Sequence, residues 1–187
     1  MDFKEVLQNR YKLSDKEWEE TIKKFIPKQL MAKDFFLKQG SISDKIGILQ
    51  SGLMRSFVYN DKGDEVTTHF FLPGTVVISI DSFNNQVAAQ ENIVAIEDSI
   101  LLVISYEKMQ ELYQSITVWP QICIDVSEMK NQNLTARSVH FQTLSASERY
   151  ELFCRDYPDI LQKVALRHIA SYLGIDIATL SRIRKKK

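Results

Sequence analysis

The sequence predicts an α+β protein built in three parts, and three observations support this. Between residues 34 and 105, short runs rich in β-branched and aromatic residues alternate with turn pairs such as Ser51-Gly52, a pattern typical of a β-sandwich or barrel. Apolar residues at helical spacing precede and follow this region. Capping boxes mark helix starts on both sides of it. We therefore expect an N-terminal part over residues 1–116, a long helix over residues 117–144 and a helical C-terminal domain over residues 145–187.

The first 32 residues are expected to be helical. Ser14 and Glu17 form a capping box, and apolar residues follow at helical spacing. Pro27 interrupts the pattern, and a second short helical piece is expected to reach Met31.

Strands are predicted next, and Ser105 is then the expected N-cap of a helix that reaches Tyr113. The runs rich in strand-forming residues are 46–49, 53–59, 66–72, 75–80, 93–96 and 100–104.

The long helix starts near Pro120 and carries apolar residues at alternating spacings of three and four. This heptad seam comprises Trp119, Ile122, Val126, Met129, Asn133, Ala136 and His140. Asn133 falls at the same heptad position as Trp119, where a polar residue fixes the register of two-stranded coils. The first five residues of the seam are the predicted dimer contacts. The alternative, that the seam packs on the chain's own β-region, stays open.

The C-terminal part has the layout of a helix-turn-helix. A capping box at Ser145 and Glu148 starts a new helix and puts a domain boundary near Leu144. Further on, Gly174 can take a positive φ and end one helix, and Asp176 can cap the next by accepting a free backbone N–H. In a helix-turn-helix, the second helix enters the major groove of DNA.

Composition and charge narrow the function. No apolar run approaches the roughly 20 residues that span a bilayer, and residues 1–5 show no signal-peptide core. Two cysteines, Cys123 and Cys154, are too few for a disulfide framework or a four-thiolate cluster, so a cytoplasmic location is expected. The formal net charge is zero, but residues 145–187 carry nine Lys/Arg against five Asp/Glu. A basic C-terminal module suits phosphate contact, and a solvated basic tail is the alternative.

The order of parts resembles the Crp/Fnr family of bacterial transcription regulators over nearly the whole chain. Two stretches carry the resemblance: residues 48–66, which look like the family's paired strands with glycine turns, and residues 157–184, which match its helix-turn-helix. The chain looks most like the short Bacteroidetes regulators of this family. The resemblance implies a jelly-roll sensor domain of the cyclic-nucleotide-binding type over residues 1–116, followed by the dimerisation helix and the DNA-binding domain.

One departure from the family concerns the nucleotide site. Cyclic-nucleotide-binding members use a Gly-Glu pair and a later Arg-Ser pair, where the Glu holds the ribose and the Arg neutralises the phosphate. Here Ser79 replaces the Glu, Ala89 the Arg and Gln90 the Ser, and no Lys or Arg occurs between Lys62 and Lys108. A buried anion without a partner is costly, so we predict no binding of cyclic AMP.

The region that corresponds to the family's nucleotide pocket could instead bind a less anionic ligand. Its candidate residues, which come from the strands and the cassette region, are Arg55, Phe70, Phe71, Ser79, Asp81, Phe83, Ala89 and Gln90. Asp81 would repel a phosphate further. The simpler interpretation is that the aromatic residues belong to the core. For Arg55, a surface position is likewise simpler than a role as the pocket's only cation.

The second departure concerns the recognition helix. Family members often carry a Glu that accepts from cytosine and an Arg four positions later that donates to guanine. Ala178 stands at the Glu position, while Arg182 remains and is expected to be the main base reader. The sequence also lacks the β-wing that many relatives place after this helix, and Lys186 and Lys187 are candidates to replace its phosphate contacts. The predicted DNA-binding residues are Ile177, Ala178, Thr179, Ser181, Arg182, Arg184 and Lys185.

No pattern points to an enzyme, a metal site or a cofactor. His69, His140 and His168 lack ligand spacing, and no phosphate loop or nucleophile motif is present. His69 is expected in the core or on the surface, and His168 on the surface or facing phosphate.

The leading hypothesis is a homodimeric regulator that binds double-stranded DNA at a pseudo-palindrome. Its implied partners are a second copy of the chain, RNA polymerase and an unknown small-molecule effector, with no membrane. The alternative is a small-molecule sensor whose DNA-binding part is degenerate.

Overall fold

The computed structural model describes residues 3–185, which form two compact units. The first unit runs to Ser56 and resumes from Phe70 to Met129, and the second consists of Phe57–His69 together with the chain from Lys130 onward. The two strands over residues 54–59 and 65–71 are therefore divided between the units. Within the described residues, no helix has both the length and the apolar character that crossing a membrane requires.

The first unit begins with two helices, α1 (Phe3–Tyr11) and α2 (Asp15–Ile22). The capping box predicted before α2 is confirmed, since Ser14 Oγ accepts from the N–H of Glu17 and the Glu17 carboxylate accepts from the N–H of Ser14. The predicted second helical piece is wrong. That segment is strand β1 (Ile26–Leu30), in which Pro27 lies on an edge strand, where a missing N–H does least damage.

Two four-stranded sheets form the β-region, as expected for a jelly roll. Their strands are β1, β2 (Phe35–Leu37), β3 (Lys45–Ser51), β4 (Met54–Tyr59), β5 (Glu65–Phe71), β6 (Val76–Val77), β7 (Asn92–Ala95) and β8 (Ser99–Ser105). One sheet has the order β1-β8-β3-β6 and the other the order β2-β7-β4-β5. The β3–β8 pairing is antiparallel, with Ile46 opposite Ile104.

Two hydrophobic clusters fill this unit. One is enclosed by the strands and includes Leu49, Met54 and Leu101, and the other joins the first sheet to the helices through Ile46 and Ile104. The alternation of side chains along β3 and β8 explains why neighbouring residues enter different clusters.

The predicted strand over residues 75–80 is mostly wrong. Only β6 is extended, and helix α3 (Ile80–Asn85) follows at once, with Ser79 at its N-cap position. The β-branched run predicted a strand, but the Asp, Ser and Asn residues that follow are depleted in strands and favour turns and helix ends.

Helix α4 (Tyr106–Ser115) begins at the predicted cap, where Ser105 Oγ accepts from the N–H of Lys108. The long helix α5 (Trp119–Thr143) follows, and it contributes to both compact units.

The second unit holds the remaining helices α6 (Ala146–Asp156), α7 (Ile160–Lys163), α8 (Leu166–Leu173) and α9 (Ile177–Lys185). The capping box at Ser145 and Glu148 is confirmed. Helix α6 ends before Tyr157-Pro158, as predicted from the restriction that a proline places on the preceding residue.

Candidate nucleic-acid interface

Helices α8 and α9 form the predicted helix-turn-helix around Gly174. This glycine has φ +65°, and its N–H donates to the carbonyls of Ala170 and Ser171. The N–H of Ile175 also reaches Ala170 O at 3.0 Å, so a Schellman-type turn closes α8. Glycine is required because a left-handed backbone is disfavoured for residues with a Cβ.

Asp176 caps helix α9. Its Oδ1 accepts from the N–H of Thr179 at 2.7 Å, and its Oδ2 accepts from the Thr179 hydroxyl at 2.9 Å. These hydrogen bonds from Thr179, first from its backbone and then from its side chain, hold the pKa of the Asp176 carboxyl below its ordinary value. The cap therefore fixes both the start of the helix and the rotamer of its third residue.

The inner face of α9 anchors the helix and leaves the other face exposed. Leu180 is fully buried, as are Ile169 and Leu173 of α8. The predicted DNA-binding residues of α9 range from half-buried to exposed, and the exposed members are Ile177, Ala178, Arg182, Arg184 and Lys185. Lys186 and Lys187, the predicted substitutes for wing contacts, lie outside the described residues.

Arg182 is held in place by its own helix. Its Nη2 donates to Thr179 Oγ1 at 2.9 Å, so Asp176, Thr179 and Arg182 form a continuous chain of hydrogen bonds. A fixed guanidinium loses less conformational freedom when it donates two hydrogen bonds to a guanine edge. Arg184 differs from Arg182, since it hydrogen-bonds to the side chain of Tyr150. Burial is the main cause that raises the pKa of Tyr150.

Arg137 of α5 binds carbonyl groups on two other elements of the second unit. Its guanidinium donates to Thr68 O at 2.6 Å on β5 and to Tyr172 O at 2.8 Å at the end of α8. Its Cζ lies 4.3 Å from the Tyr172 ring centroid and 5.2 Å from that of Phe141. Burial lowers the pKa of the Arg137 guanidinium. Arg137 therefore links α5, β5 and α8 within the second unit.

A second arginine binds the same end of α8. Arg149 donates from Nε to Leu173 O at 3.1 Å and from Nη1 to Leu144 O at 2.7 Å. Its Cζ lies 5.1 Å from the Phe141 ring centroid. The last carbonyls of α8 therefore face two cations, the arrangement that the helix dipole favours.

The sequence did not single out these two arginines. The Arg137-Phe141 spacing of four residues on one helix was the available signal, since such pairs meet on a helix surface. The carbonyl groups that Arg137 reaches come from distant parts of the sequence, and spacing alone does not show them.

Strand β5 also contacts α8 through side chains. The N–H of Thr67 donates to Ser171 Oγ at 3.2 Å. His168 Nδ1 lies 4.0 Å from Glu65 Oε2, and its side chain is 13% exposed. His168 was expected on the surface or facing phosphate; its side chain is instead mostly covered, next to Glu65.

The predicted dimer seam divides along α5. Trp119 and Ile122 are buried in the chain's own core, and the Trp119 indole donates to Thr21 Oγ1 at 3.2 Å. These two residues therefore follow the alternative interpretation, in which the seam packs on its own β-region. Val126 is half-buried, whereas Met129 is 53% exposed and Asn133 is also exposed.

The residues of the predicted ligand pocket are mostly core residues. Phe70, Phe71, Phe83 and Ala89 are buried, and Phe83 stacks edge-on against Tyr106. Ser79 is buried at the N-cap of α3, while Asp81 and Gln90 are exposed. The expectation of a surface position for Arg55 is wrong, because only 5% of this residue is exposed. The described residues contain no cluster of His, Cys, Asp and Glu that could hold a metal ion.

Comparisons with known proteins agree with this fold. Residues 27–116 match the family model of the cyclic nucleotide-binding domain. The transcriptional activator protein Anr of Pseudomonas protegens is 25% identical over 166 residues, which cover 80% of this chain and 65% of that protein. The Anr protein of Pseudomonas aeruginosa matches over the same extent. The chain thus spans about two thirds of the length of these relatives.

Solved structures extend the likeness to nearly the whole chain. The c-di-GMP responsive global regulator CLP of Xanthomonas campestris aligns with a TM-score of 0.73 at 17% identity, covering 92% of this chain and 91% of that one. A crp/fnr-family structure from Eubacterium rectale aligns with a TM-score of 0.75 at 14% identity, covering 96% of this chain and 85% of that one. These likenesses establish the α+β fold with a jelly roll of the cyclic-nucleotide-binding type.

The fold is shared with proteins that are named as transcription regulators. One of the structural neighbours is described as a regulator of the crp/fnr family, and the likeness to it is one of fold. The relatives are named as transcriptional activators, not as enzymes. The finer assignment to the Bacteroidetes regulators stays a prediction.

Proposed function

We propose that the chain is a DNA-binding transcription regulator of the Crp/Fnr type, which binds a pseudo-palindromic operator as a homodimer and does not respond to cyclic AMP. The observation that carries this proposal is the exposed face of α9, where Arg182 is fixed through Thr179 to the cap at Asp176. An exposed basic helix, anchored by a buried leucine, is what a recognition helix needs to enter a major groove.

The proposed contacts divide into base and phosphate contacts. Arg182 is the candidate for two hydrogen bonds to guanine, and the methyl group of Ala178 can contact a thymine methyl but cannot accept from cytosine. Lys185 lies at the exposed end of the helix and suits a phosphate contact. Arg184 is already engaged with Tyr150, so we assign it to positioning and not to base contact.

Homodimerisation is supported by the part of α5 that the core does not cover. Met129, Asn133 and Ala136 are exposed and follow one another at heptad spacing. A second copy of the same helix would cover Met129 and pair Asn133 with Asn133. Two recognition helices related by a two-fold axis would then meet half-sites about one DNA turn apart, roughly 34–36 Å.

The absence of a response to cyclic AMP is supported by the chemistry of the cassette region. Residues 63–107 contain no Lys or Arg, and the positions of the ribose and phosphate contacts are occupied by Ser79, Ala89 and Gln90. Calorimetric titration with cyclic AMP should give no heat of binding. Because the Xanthomonas regulator is described as c-di-GMP responsive, cyclic di-GMP is the second ligand to titrate.

The decisive experiment is selection of bound duplexes from a random DNA pool, followed by affinity measurements on the selected operator. We expect Arg182→Ala to lose about 1–3 kcal/mol of discrimination at one base position. Lys185→Ala should weaken all sequences alike and reduce the salt slope by about one. Lys62→Ala, an exposed lysine in the β4–β5 turn, is the control that should change neither. Failure to enrich any sequence would favour the alternative of a sensor with a degenerate DNA-binding part.

Dimerisation is tested by sedimentation. Met129→Asp should shift the chain towards monomer, whereas Ile124→Asp, which changes an equally exposed apolar residue on another side of α5, should not. Equal effects of the two substitutions would remove the support for the heptad seam.

A further inference from the structure

A lysine-lined groove lies in the first unit, and no residue of the proposed recognition helix lines it. It has a volume of about 840 Å³ and is formed by α2 and β1 with the start of β3, the end of β8 and the first turn of α4. Its cations are six lysines, and three carboxylates also line it. These lysines are Lys16, Lys23, Lys24, Lys28, Lys45 and Lys108.

Three of the lysines are held in place by partners. Lys24 and Lys108 bind the two carboxylate oxygens of Glu111, at 2.6 and 2.7 Å. Lys45 binds Asp44 at 2.6 Å, and its Nζ lies 5.6 Å from the Phe36 ring centroid. The side chains of Lys24 and Lys45 are only 20% and 24% exposed, so their ammonium groups are confined to the groove.

The other three lysines have no such partner. Within residues 3–185, no carboxylate lies within ion-pair distance of Lys16, Lys23 or Lys28. Lys16 lies in the first turn of α2 and Lys23 is the C-cap residue of that helix, and a spacing of seven places them on one face. Lys28 approaches from β1. A ligand in the groove would therefore meet unpaired cations from two elements.

The carboxylates offset this charge only in part, because six lysines are opposed by three carboxylates of the groove and by Glu111. Asp44 is already engaged by Lys45, and although burial raises the pKa of its carboxyl, the hydrogen bond from Lys45 and the nearby charges lower it overall. Glu19 and Glu20 lie between Lys16 and Lys23 on α2 and are the acceptors that a ligand hydroxyl could reach. Like charges held close together are costly, and an anion would relieve that cost.

We propose that this groove binds a small ligand carrying two or more adjacent phosphate groups. Lysine is a point-charge phosphate binder, and several lysines around one volume favour a multiply charged anion over a single phosphate. The volume lies within the range of about 300–1,000 Å³ typical of small-molecule sites. The inference does not depend on DNA binding, because none of these residues belongs to α8 or α9.

The test is calorimetric titration of the full chain with inorganic pyrophosphate and tripolyphosphate at constant ionic strength. We expect tripolyphosphate to bind more tightly than pyrophosphate, and orthophosphate and sulfate to bind at least tenfold more weakly than either. The double substitution Lys23→Gln with Lys28→Gln should weaken tripolyphosphate binding by tenfold or more. Lys62→Gln and Arg182→Ala remove one charge each outside the groove, and their combination removes two, as the test variant does. All three controls should retain the affinity of the unchanged chain.

Three outcomes would overturn the proposal. The first is equal binding of sulfate and pyrophosphate, which would indicate general ionic attraction. The second is loss of binding in Arg182→Ala with retention in the double variant, which would place the anion on the recognition helix. The third is tighter binding of a poly-glutamate peptide than of tripolyphosphate, which would make the groove a surface for an acidic protein segment. The melting temperatures of the variants should equal that of the unchanged chain, which would show that the lysine substitutions leave the fold intact.

Discussion

The guanidinium of Arg137 stacks on the ring of Tyr172 at 4.3 Å and donates to the carbonyl oxygen of the same residue at 2.8 Å. One side chain of the long helix thus binds the last turn of the helix that precedes the recognition helix. The same guanidinium also reaches the carbonyls of Thr67 and Thr68 on β5. Strand β5 and helices α5 and α8 share these contacts within the second unit, to which the 57–69 segment belongs.

Arg137→Ala is expected to destabilise the second unit strongly. The substitution leaves the carbonyls of Thr68 and Tyr172 without their donor, and hydrogen bonds to charged groups contribute about 1.5–3 kcal/mol each. We expect a loss of about 2–4 kcal/mol in the free energy of unfolding, measured by denaturant titration. Arg155→Ala removes an exposed arginine of the same unit that pairs only with its neighbour Asp156, and it should cost less than about 0.5 kcal/mol. Similar losses in both variants would contradict a special role for Arg137.

Asp176→Ala should loosen the start of the recognition helix. The carboxylate holds both the N–H and the hydroxyl of Thr179, and Thr179 in turn accepts from Arg182. We expect a melting temperature lower by a few degrees and weaker operator binding, because the rotamer of Arg182 is no longer fixed. Asp176→Asn keeps an N-cap acceptor and should preserve most of the stability. If Asp176→Ala kept the melting temperature and the operator affinity of the unchanged chain, the cap would have no part in placing Arg182.

The lowered pKa of His69 predicts how the free energy of unfolding depends on pH. Burial, with the nearby charges of Lys130 and Arg137, lowers the pKa of His69 from 6.5 to about 4. The folded chain therefore binds this proton less readily than the unfolded chain, and the stabilising contribution of neutral His69 is complete above pH 6.5 and is lost as the pH falls towards 4. A shift of this size corresponds to at most about 3 kcal/mol.

The measurement is denaturant unfolding of His69→Gln and the unchanged chain between pH 7 and pH 4. The stability of the unchanged chain should fall more steeply over this window, since the glutamine variant has lost the titrating group. His140→Gln removes another histidine of the same unit and serves as the control. Parallel curves for the unchanged chain and His69→Gln would show that His69 does not titrate as described.

Local sequence signals predicted the helix termini more accurately than they predicted the packing of the helices. The caps at Ser14, Ser105, Ser145 and Asp176 were predicted because each depends on residues only three or four positions apart. The division of the heptad seam was not predicted, since Trp119 hydrogen-bonds to Thr21, a partner almost a hundred residues away in the sequence. A periodic apolar stripe shows that a helix face is covered, but it does not show whether the cover is the same chain or another copy.

In the region that corresponds to the family's nucleotide pocket, too, local sequence does not predict the packing. The missing cations between Lys62 and Lys108 follow directly from the sequence. The burial of Arg55 does not, because an arginine in a strand is usually exposed, and only the sheet packing decides otherwise. The lysine-lined groove likewise gathers residues from α2, β1, β3, β8 and α4, which no local pattern connects.

The substitution Gly174→Ala adds a single carbon atom, Cβ, to the turn of the helix-turn-helix and tests how closely that turn is packed. A Cβ on Gly174 would lie 2.7 Å from Cε1 of Phe141, and the φ of +65° already disfavours any side chain. The backbone cost alone is about 1–2 kcal/mol. Gly63→Ala is the matched control, because Gly63 has φ +82° but no atom within 4 Å of an added Cβ.

We expect Gly174→Ala to cost more than Gly63→Ala in denaturant unfolding, the difference reporting the clash with Phe141. Combining Gly174→Ala with Phe141→Leu should recover part of that difference, so the double-mutant cycle should give a coupling of about 0.5–1 kcal/mol. A coupling of zero would mean that the Phe141 ring moves aside freely. In that case its cation–π contacts with Arg137 and Arg149, at 5.2 and 5.1 Å, would not be holding the ring against the turn.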